Sequence, residues 1–246
     1  MTPGLLTDTV SPDVRRATED ALMWGLECVA LRTVGRERVP YTNEARLRRV
    51  LAEGEMPVAW IDPGLFEGSV TSRAGVLSDV EALREIAPFS RRLECDLVAV
   101  GALAAEPREA GAVVGSLRQL GETAQSLGLR VAVRNGDAAP AGHDLAALVR
   151  ATDHPAVGAL WSTAASRTTG EDTAAVARAL AESRLFGVEA DAPFAEAEPE
   201  ESGVLALAEA GYDGPVVLAF ERLPESALGV STSLIRGIRQ SRRAVR

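Results

Sequence analysis

At 246 residues, with 46% hydrophobic and 25% charged side chains, the chain has the composition of a globular protein long enough to bury a sizeable core. A net charge of −9 argues against a nucleic-acid backbone as the main partner, because such partners need a basic footprint. All 26 basic residues are arginine, so chemistry that needs a lysine amine is excluded: Schiff-base aldolases, lysine-bound pyridoxal phosphate and the phosphate-loop lysine.

The elements alternate along the chain. Strands are expected at Gly4–Val10, Glu27–Thr33, Met56–Asp62 and Asp96–Leu103, then at Leu129–Arg134, Val157–Ser162, Leu185–Asp191 and Val216–Glu221. Most are near-continuous apolar runs, the pattern of parallel strands covered on both faces. Between them lie helical stretches. Pro12–Trp24 follows Ser11 as a candidate N-cap, with proline at the first helical position. Asn43–Glu53, Leu77–Arg92 and Pro107–Leu127 come next, the last closed by Gly128. Leu145–Thr152, Asp172–Ser183, Glu201–Ala210 and Ser226–Arg239 complete the set. Residues 193–202, PFAEAEPEES, are expected to form a flexible loop, and the arginine-rich stretch at about 240–246 a frayed basic tail.

Eight strands, each followed by a helix, predict a single-domain α/β (β/α)8 barrel over residues 1–246, with an open doubly wound sheet as the alternative. Cys28 and Cys95 each sit beside an apolar run and read as buried thiols. The first residues, MTPGLLTDTVSPD, lack the basic segment and apolar core of a secretory signal. No apolar run approaches the ~20 residues of a membrane helix. A cytoplasmic protein with no membrane or nucleic-acid partner is expected, with a homodimer as the candidate assembly.

In such barrels the chemistry sits at the C-terminal ends of the strands. That rule selects Asp8, Arg32, Asp62 with Glu67, Arg134 through Asp137 (including Asn135), Ser162 with Thr163, Asp191, and Glu221 with Arg222. His143 follows strand five on the same rim, as a helix-entry residue or an acid/base contact. His154 precedes Pro155 at the entrance to strand six, and Tyr212 precedes strand eight; both belong to the opposite rim and read as structural.

The segments GLECVALR, LGLRVAVRN, VGALWSTAAS, LFGVEAD and AGYDGPVVLAFE resemble the xylose isomerase-like barrels, which include sugar-phosphate isomerases and epimerases, inosose dehydratase and endonuclease IV. The resemblance runs from the first strand to the last helix. It implies a divalent-metal site made by residues ending strands five to eight, with two glutamates moving a proton across an enediolate. Carried over residue by residue, the strand-five glutamate falls on Arg134. The strand-six aspartate falls on Ser162, the strand-seven histidine on Val188 and the strand-eight glutamate on Ala219. The acidic residue of strand two falls on Ala30, while the arginine after it is kept as Arg32.

The resemblance thus implies a divergent relative, a candidate pseudoenzyme without metal or cofactor. Its expected ligand is a small sugar, sugar phosphate or sugar acid at the mouth, where Arg134 and Arg32 would hold an anion unless rim carboxylates neutralise them. An active isomerase, epimerase or dehydratase is the alternative, with Mg²⁺ or Mn²⁺ on the oxygens of Asp8, Asp62, Asp191 and Glu221. A non-catalytic structural or interaction subunit is a further one. Endonuclease-type repair needs a histidine-rich metal cluster that two histidines cannot supply. No GxSxG elbow supports a serine nucleophile.

Overall fold

The computed structural model describes residues 1–67, 73–101, 110–136, 141–198 and 203–245. Eight parallel strands close into a barrel in the order β1-β10-β9-β8-β7-β6-β5-β2. They are β1 (Thr2–Leu6), β2 (Cys28–Leu31), β5 (Val58–Leu65), β6 (Leu97–Val100), β7 (Arg130–Arg134), β8 (Val157–Ser162), β9 (Leu185–Ala190) and β10 (Pro215–Leu218). The barrel expected from the alternation is the architecture found.

Helices α1 (Val14–Met23), α2 (Glu44–Glu53), α3 (Arg73–Arg92), α4 (Ala110–Ser126), α5 (Gly142–Thr152) and α7 (Thr173–Ser183) cover the barrel, with α9 (Val204–Glu209) and α10 (Ala227–Ala244). Their apolar residues join one large core with alternate strand residues such as Val29, Leu31, Val131, Val133 and Val188. A smaller cluster holds no helix residue: Leu6, Cys28, Ala30, Trp60, Leu97, Ala99, Ala132, Leu160 and Val217. Those side chains fill the barrel interior, so membership of one cluster or the other tells inward from outward on each strand. Both thiols are buried, and burial pushes Cys28 up to about 12 and Cys95 to about 11, which leaves them inert at neutral pH.

Several boundaries differ from the sequence expectation. Strand one stops at Leu6, and Thr7–Thr9 forms a 3-10 turn whose Thr9 hydroxyl donates to Leu6 O (2.6 Å). Strand two stops at Leu31, and an antiparallel hairpin, β3 (Thr33–Val34) with β4 (Glu37–Arg38), follows it. Strand eight ends at Leu218, three residues early, which puts Glu221 outside it. Asp13, not Ser11, caps α1 by accepting from Arg15 N.

The segment expected to be a flexible loop begins with a short helix, α8 (Ala192–Glu196), capped by Asp191. A second short helix, α6 (Thr163–Arg167), follows strand six. The basic tail is no tail as far as Ala244: α10 runs through it, and Arg242 donates to Met1 O (2.6 Å). The expected starts at Pro107 and Glu201, the strand end at Leu103, and Asp137 lie outside the described residues.

Candidate functional site at the barrel mouth

Asp62 sits on β5 in the same alternating set as the interior Trp60, and Arg134 on β7 in the set of the interior Ala132. Both therefore project into the C-terminal mouth. Arg134 Nη1 donates to Asp62 Oδ2 (2.9 Å) and reaches Glu189 Oε2 (3.5 Å). The Asp62 side chain is 4% exposed, Glu189 13% and Arg134 19%, so the triad is largely withdrawn from water.

The other Asp62 oxygen is committed elsewhere. Oδ1 accepts from Arg38 Nη2 (2.6 Å) and from Gly64 N (3.1 Å). Arg38 comes from the hairpin and also donates to Asp62 O and to both oxygens of Glu67. Gly64 has φ +81, and a Cβ there would stand 2.8 Å from the Arg38 Cζ, so glycine makes room for the guanidinium. Arg32 pairs with Asp8 through Nε–Oδ2 (2.8 Å), while Asp8 Oδ1 is buried with no hydrogen-bond partner among the described residues.

The electrostatics follow from this packing. Burial pushes Glu189 above the ordinary carboxylate range; Arg134 and Arg32 pull it back down, and Asp62 adds a further upward push. Burial works against the charge on Arg134, but Glu189, Asp62 and Glu67 outweigh it, and the guanidinium is raised. Arg38 is raised in the same way by Asp62 and Glu67. The mouth thus sets three arginines against four carboxylates: Asp8, Asp62, Glu67 and Glu189.

Two of these residues, Glu189 and Arg38, are absent from the sequence-derived set. The strand-seven register was read one residue off. Val188 packs outward with the helices, and Glu189 is the inward residue. The cause is local: β8 pairs with β9 through Ala159–Leu185 and then Leu160–Gly187, skipping Phe186.

The remaining candidates serve other corners. Asn135 is buried and laces two loops. Its Oδ1 accepts from Ser162 N (2.7 Å), and Nδ2 donates to Ser162 O (3.0 Å) and Ser166 Oγ (3.1 Å). Asp191 accepts from Thr163 Oγ1, from Phe194 N and from Arg167, so it is a helix cap and counter-ion. His143 is exposed at the start of α5, where the Glu171 carboxylate receives its backbone N–H (3.0 Å) and that of Gly142 (2.7 Å). Glu221 is exposed and, with Arg167, Asp191, Ala219 and Arg222, lines a groove of about 430 Å³. On the opposite rim, His154 Nδ1 accepts from Ala156 N and the Tyr212 hydroxyl donates to Pro215 O.

The donor set does not suit the divalent ion that the barrel family implies. Among the described residues no three His, Cys, Asp or Glu side chains converge as cation ligands. Of the four residues considered for Mg²⁺ or Mn²⁺, Asp8 faces Arg32, Asp62 lies between Arg38 and Arg134, and Asp191 pairs with Arg167, so three already have a cationic partner, while Glu221 is exposed.

A closed barrel with its charged residues gathered at the strand ends defines the class, and comparison with known proteins defines the family. The model of the xylose isomerase-like TIM barrel matches residues 19–236, and the chain belongs to that family. No curated protein matches the sequence.

Among solved structures, a xylose isomerase-like TIM barrel/4-hydroxyphenylpyruvate dioxygenase fusion protein superposes over 100% of this chain with a TM-score of 0.79 and 19% identity. The chain spans only 43% of that fusion protein. D-allulose 3-epimerase from Methylomonas sp., in complex with D-allulose, matches 98% of this chain and 97% of its own (TM-score 0.75, 12% identity). An IolI protein with a bound zinc atom matches 100% and 98% (TM-score 0.73, 14% identity). At these identities the likeness concerns the fold.

Proposed function

We propose that this chain is a divergent sugar isomerase/epimerase-like protein that binds a small polar or anionic sugar-like ligand at the barrel mouth without a divalent metal. The observation that carries the reading is the Arg134–Asp62–Glu189 triad: a guanidinium stands at the end of β7, inside the mouth, where the family resemblance calls for a metal-binding carboxylate. A fixed positive charge there stands in place of a cation and neutralises Asp62 and Glu189 without one. The D-allulose 3-epimerase, whose barrel this one resembles, is in complex with D-allulose, which supports a sugar-like ligand.

The experiment is a metal titration. The purified full chain is stripped with EDTA, then followed by calorimetry and thermal melting during addition of Mn²⁺, Mg²⁺ and Zn²⁺. Neither a stoichiometric heat nor a shift in Tm is expected from any of the three. One tightly bound ion per chain, abolished by Asp62→Asn, would overturn the reading.

A further inference from the structure

The β3–β4 hairpin is held to the rest of the chain unevenly. Its strands are two residues each, and its tip, residues 35–37, is exposed. Val34 is half-buried against the core, and Gly35 N donates to Pro12 O (2.7 Å). Every other described hydrogen bond that ties residues 33–38 to the barrel is made by the Arg38 side chain. On the side of the mouth it reaches Asp62 O (3.2 Å), Asp62 Oδ1 (2.6 Å) and the two Glu67 oxygens (2.6 and 3.1 Å).

The opposite side of the hairpin is unpacked. Between residues 34–37 and the first turns of α1 and α2 lies a groove of about 550 Å³, whose far wall includes Asp13 and Arg46. Close-packed protein leaves no such space, so the hairpin has room to move that way. Arg36 and Glu37 line the groove and have no ion-pair partner among the described residues. Asp13 and Arg46 pair with each other at 3.3 Å, both of them exposed. The groove therefore offers the tip charges of both signs, and the hairpin has two seats rather than one.

We propose that the β3–β4 hairpin is a charge-latched flap on the rim of the barrel mouth, with Arg38 as its latch. Closed, the guanidinium bridges Asp62 and Glu67 and covers Asp62 Oδ1 beside the Arg134–Asp62–Glu189 triad. Open, the tip lies in the groove with Arg36 and Glu37 against Asp13 and Arg46, and Asp62 Oδ1 keeps only the Gly64 N–H. The hinge lies where the chain is fixed: Arg32 is paired with Asp8, Val39 is buried, and Val39 N donates to Arg32 O (3.0 Å). Gly64 serves the latch, because a side chain there would crowd the guanidinium. The two arms of the latch differ. The Glu67 arm is 45% exposed and open to screening by salt, whereas the Asp62 arm is 4% exposed and shielded from it. The flap governs access to the mouth whatever the mouth binds, so a bound ion in the metal titration would leave it standing.

Hydrogen exchange read by mass spectrometry on the full chain tests the flap. Arg38→Met is expected to speed exchange over residues 33–39 at least about tenfold and to leave α2 unchanged. Glu67→Gln retains the buried Asp62 arm and is expected to speed it about threefold. Salt at about 1 M should produce a rise of similar size in the wild type and none in Arg38→Met.

Phenylglyoxal, which labels guanidinium groups, reads the opening independently. Arg134, 19% exposed, should be labelled faster in Glu67→Gln and at high salt, in step with exchange of the flap. Exchange over residues 33–39 within about twofold of wild type in Arg38→Met, or a rise spread equally over α2, would overturn the proposal. So would labelling of Arg134 that does not follow the flap in Glu67→Gln, whose exposed substitution keeps the fold, as circular dichroism verifies.

Discussion

Replacing Arg134 by methionine keeps the aliphatic bulk of the side chain and removes the guanidinium that joins β7 to β5 and β9. Asp62, 4% exposed, keeps Arg38 and the Gly64 N–H, so only one of its oxygens is orphaned. Glu189, 13% exposed, loses its described hydrogen-bond partner. Breaking a buried ion pair by deleting one partner costs about 3–5 kcal/mol. The retained Arg38 bond and the ability of Glu189 to take up a proton reduce that to about 2–3 kcal/mol. For a chain of this size each kcal/mol moves Tm by about 2–4 °C, so a loss of roughly 5–10 °C is expected at pH 8.

Differential scanning fluorimetry measures it, and the double variant Arg134→Met/Glu189→Leu provides the decisive comparison. If Glu189 is the carboxylate left stranded, the double variant melts higher than Arg134→Met alone, a non-additivity of about 1 kcal/mol or more. A drop below 2 °C in the single variant, or losses that simply add in the double variant, would refute the claim that Arg134 neutralises the buried mouth.

Two further expectations follow from the same contacts. Glu189 has a raised pKa in the folded state, so the folded protein holds its proton over the window between the ordinary glutamate value near 4.5 and the raised value, where the unfolded chain has released it. Stability therefore falls as pH rises through that window. Glu189→Gln should flatten this part of the wild-type Tm–pH curve and leave the variant relatively more stable toward alkaline pH; parallel curves would remove Glu189 as the cause. Asn135→Ala removes one hydrogen bond each from Ser162 N, Ser162 O and Ser166 Oγ, the last of which keeps Trp161 Nε1, so a loss of about 2 kcal/mol, or roughly 4–8 °C, is expected in thermal melting. A loss under 2 °C would show that water replaces the amide.

The barrel was legible because its strands are buried on both faces: runs such as VAVR, VGALWS and PVVL stand out against the amphipathic helices on either side. That same two-sided burial hides register. In LFGVEAD both Val188 and Glu189 are candidates for the inward position, and the skipped Phe186 that decides between them leaves no mark in the sequence. One signal was there to be used: a lone charge within an apolar parallel strand has to face the barrel mouth, because the helices seal the other side. Arg38 carried no such signal. Its role depends on a hairpin of two-residue strands and on the room left by Gly64, both of them tertiary facts. Asp191 shows the opposite error: an aspartate at a strand end has the address of a site residue, yet it is occupied with capping α8 and holding Arg167.

The placement of arginine explains why this mouth tolerates so many buried carboxylates. A carboxylate without a counter-charge is costly to withdraw from water, and most of the interior side chains beneath, such as Ala30, Ala132 and Leu160, carry no hydrogen-bond donor. A metal would neutralise the acids from one point and hold them within coordination distance of each other. Arginines do so from the periphery, each with its own partner: Arg32 with Asp8, Arg38 with Asp62 and Glu67, Arg134 with Asp62 and Glu189. Peripheral neutralisation gives each buried carboxylate a counter-charge in its own corner of the mouth. With three arginines set against Asp8, Asp62, Glu67 and Glu189, the charges of the mouth are met within the protein itself.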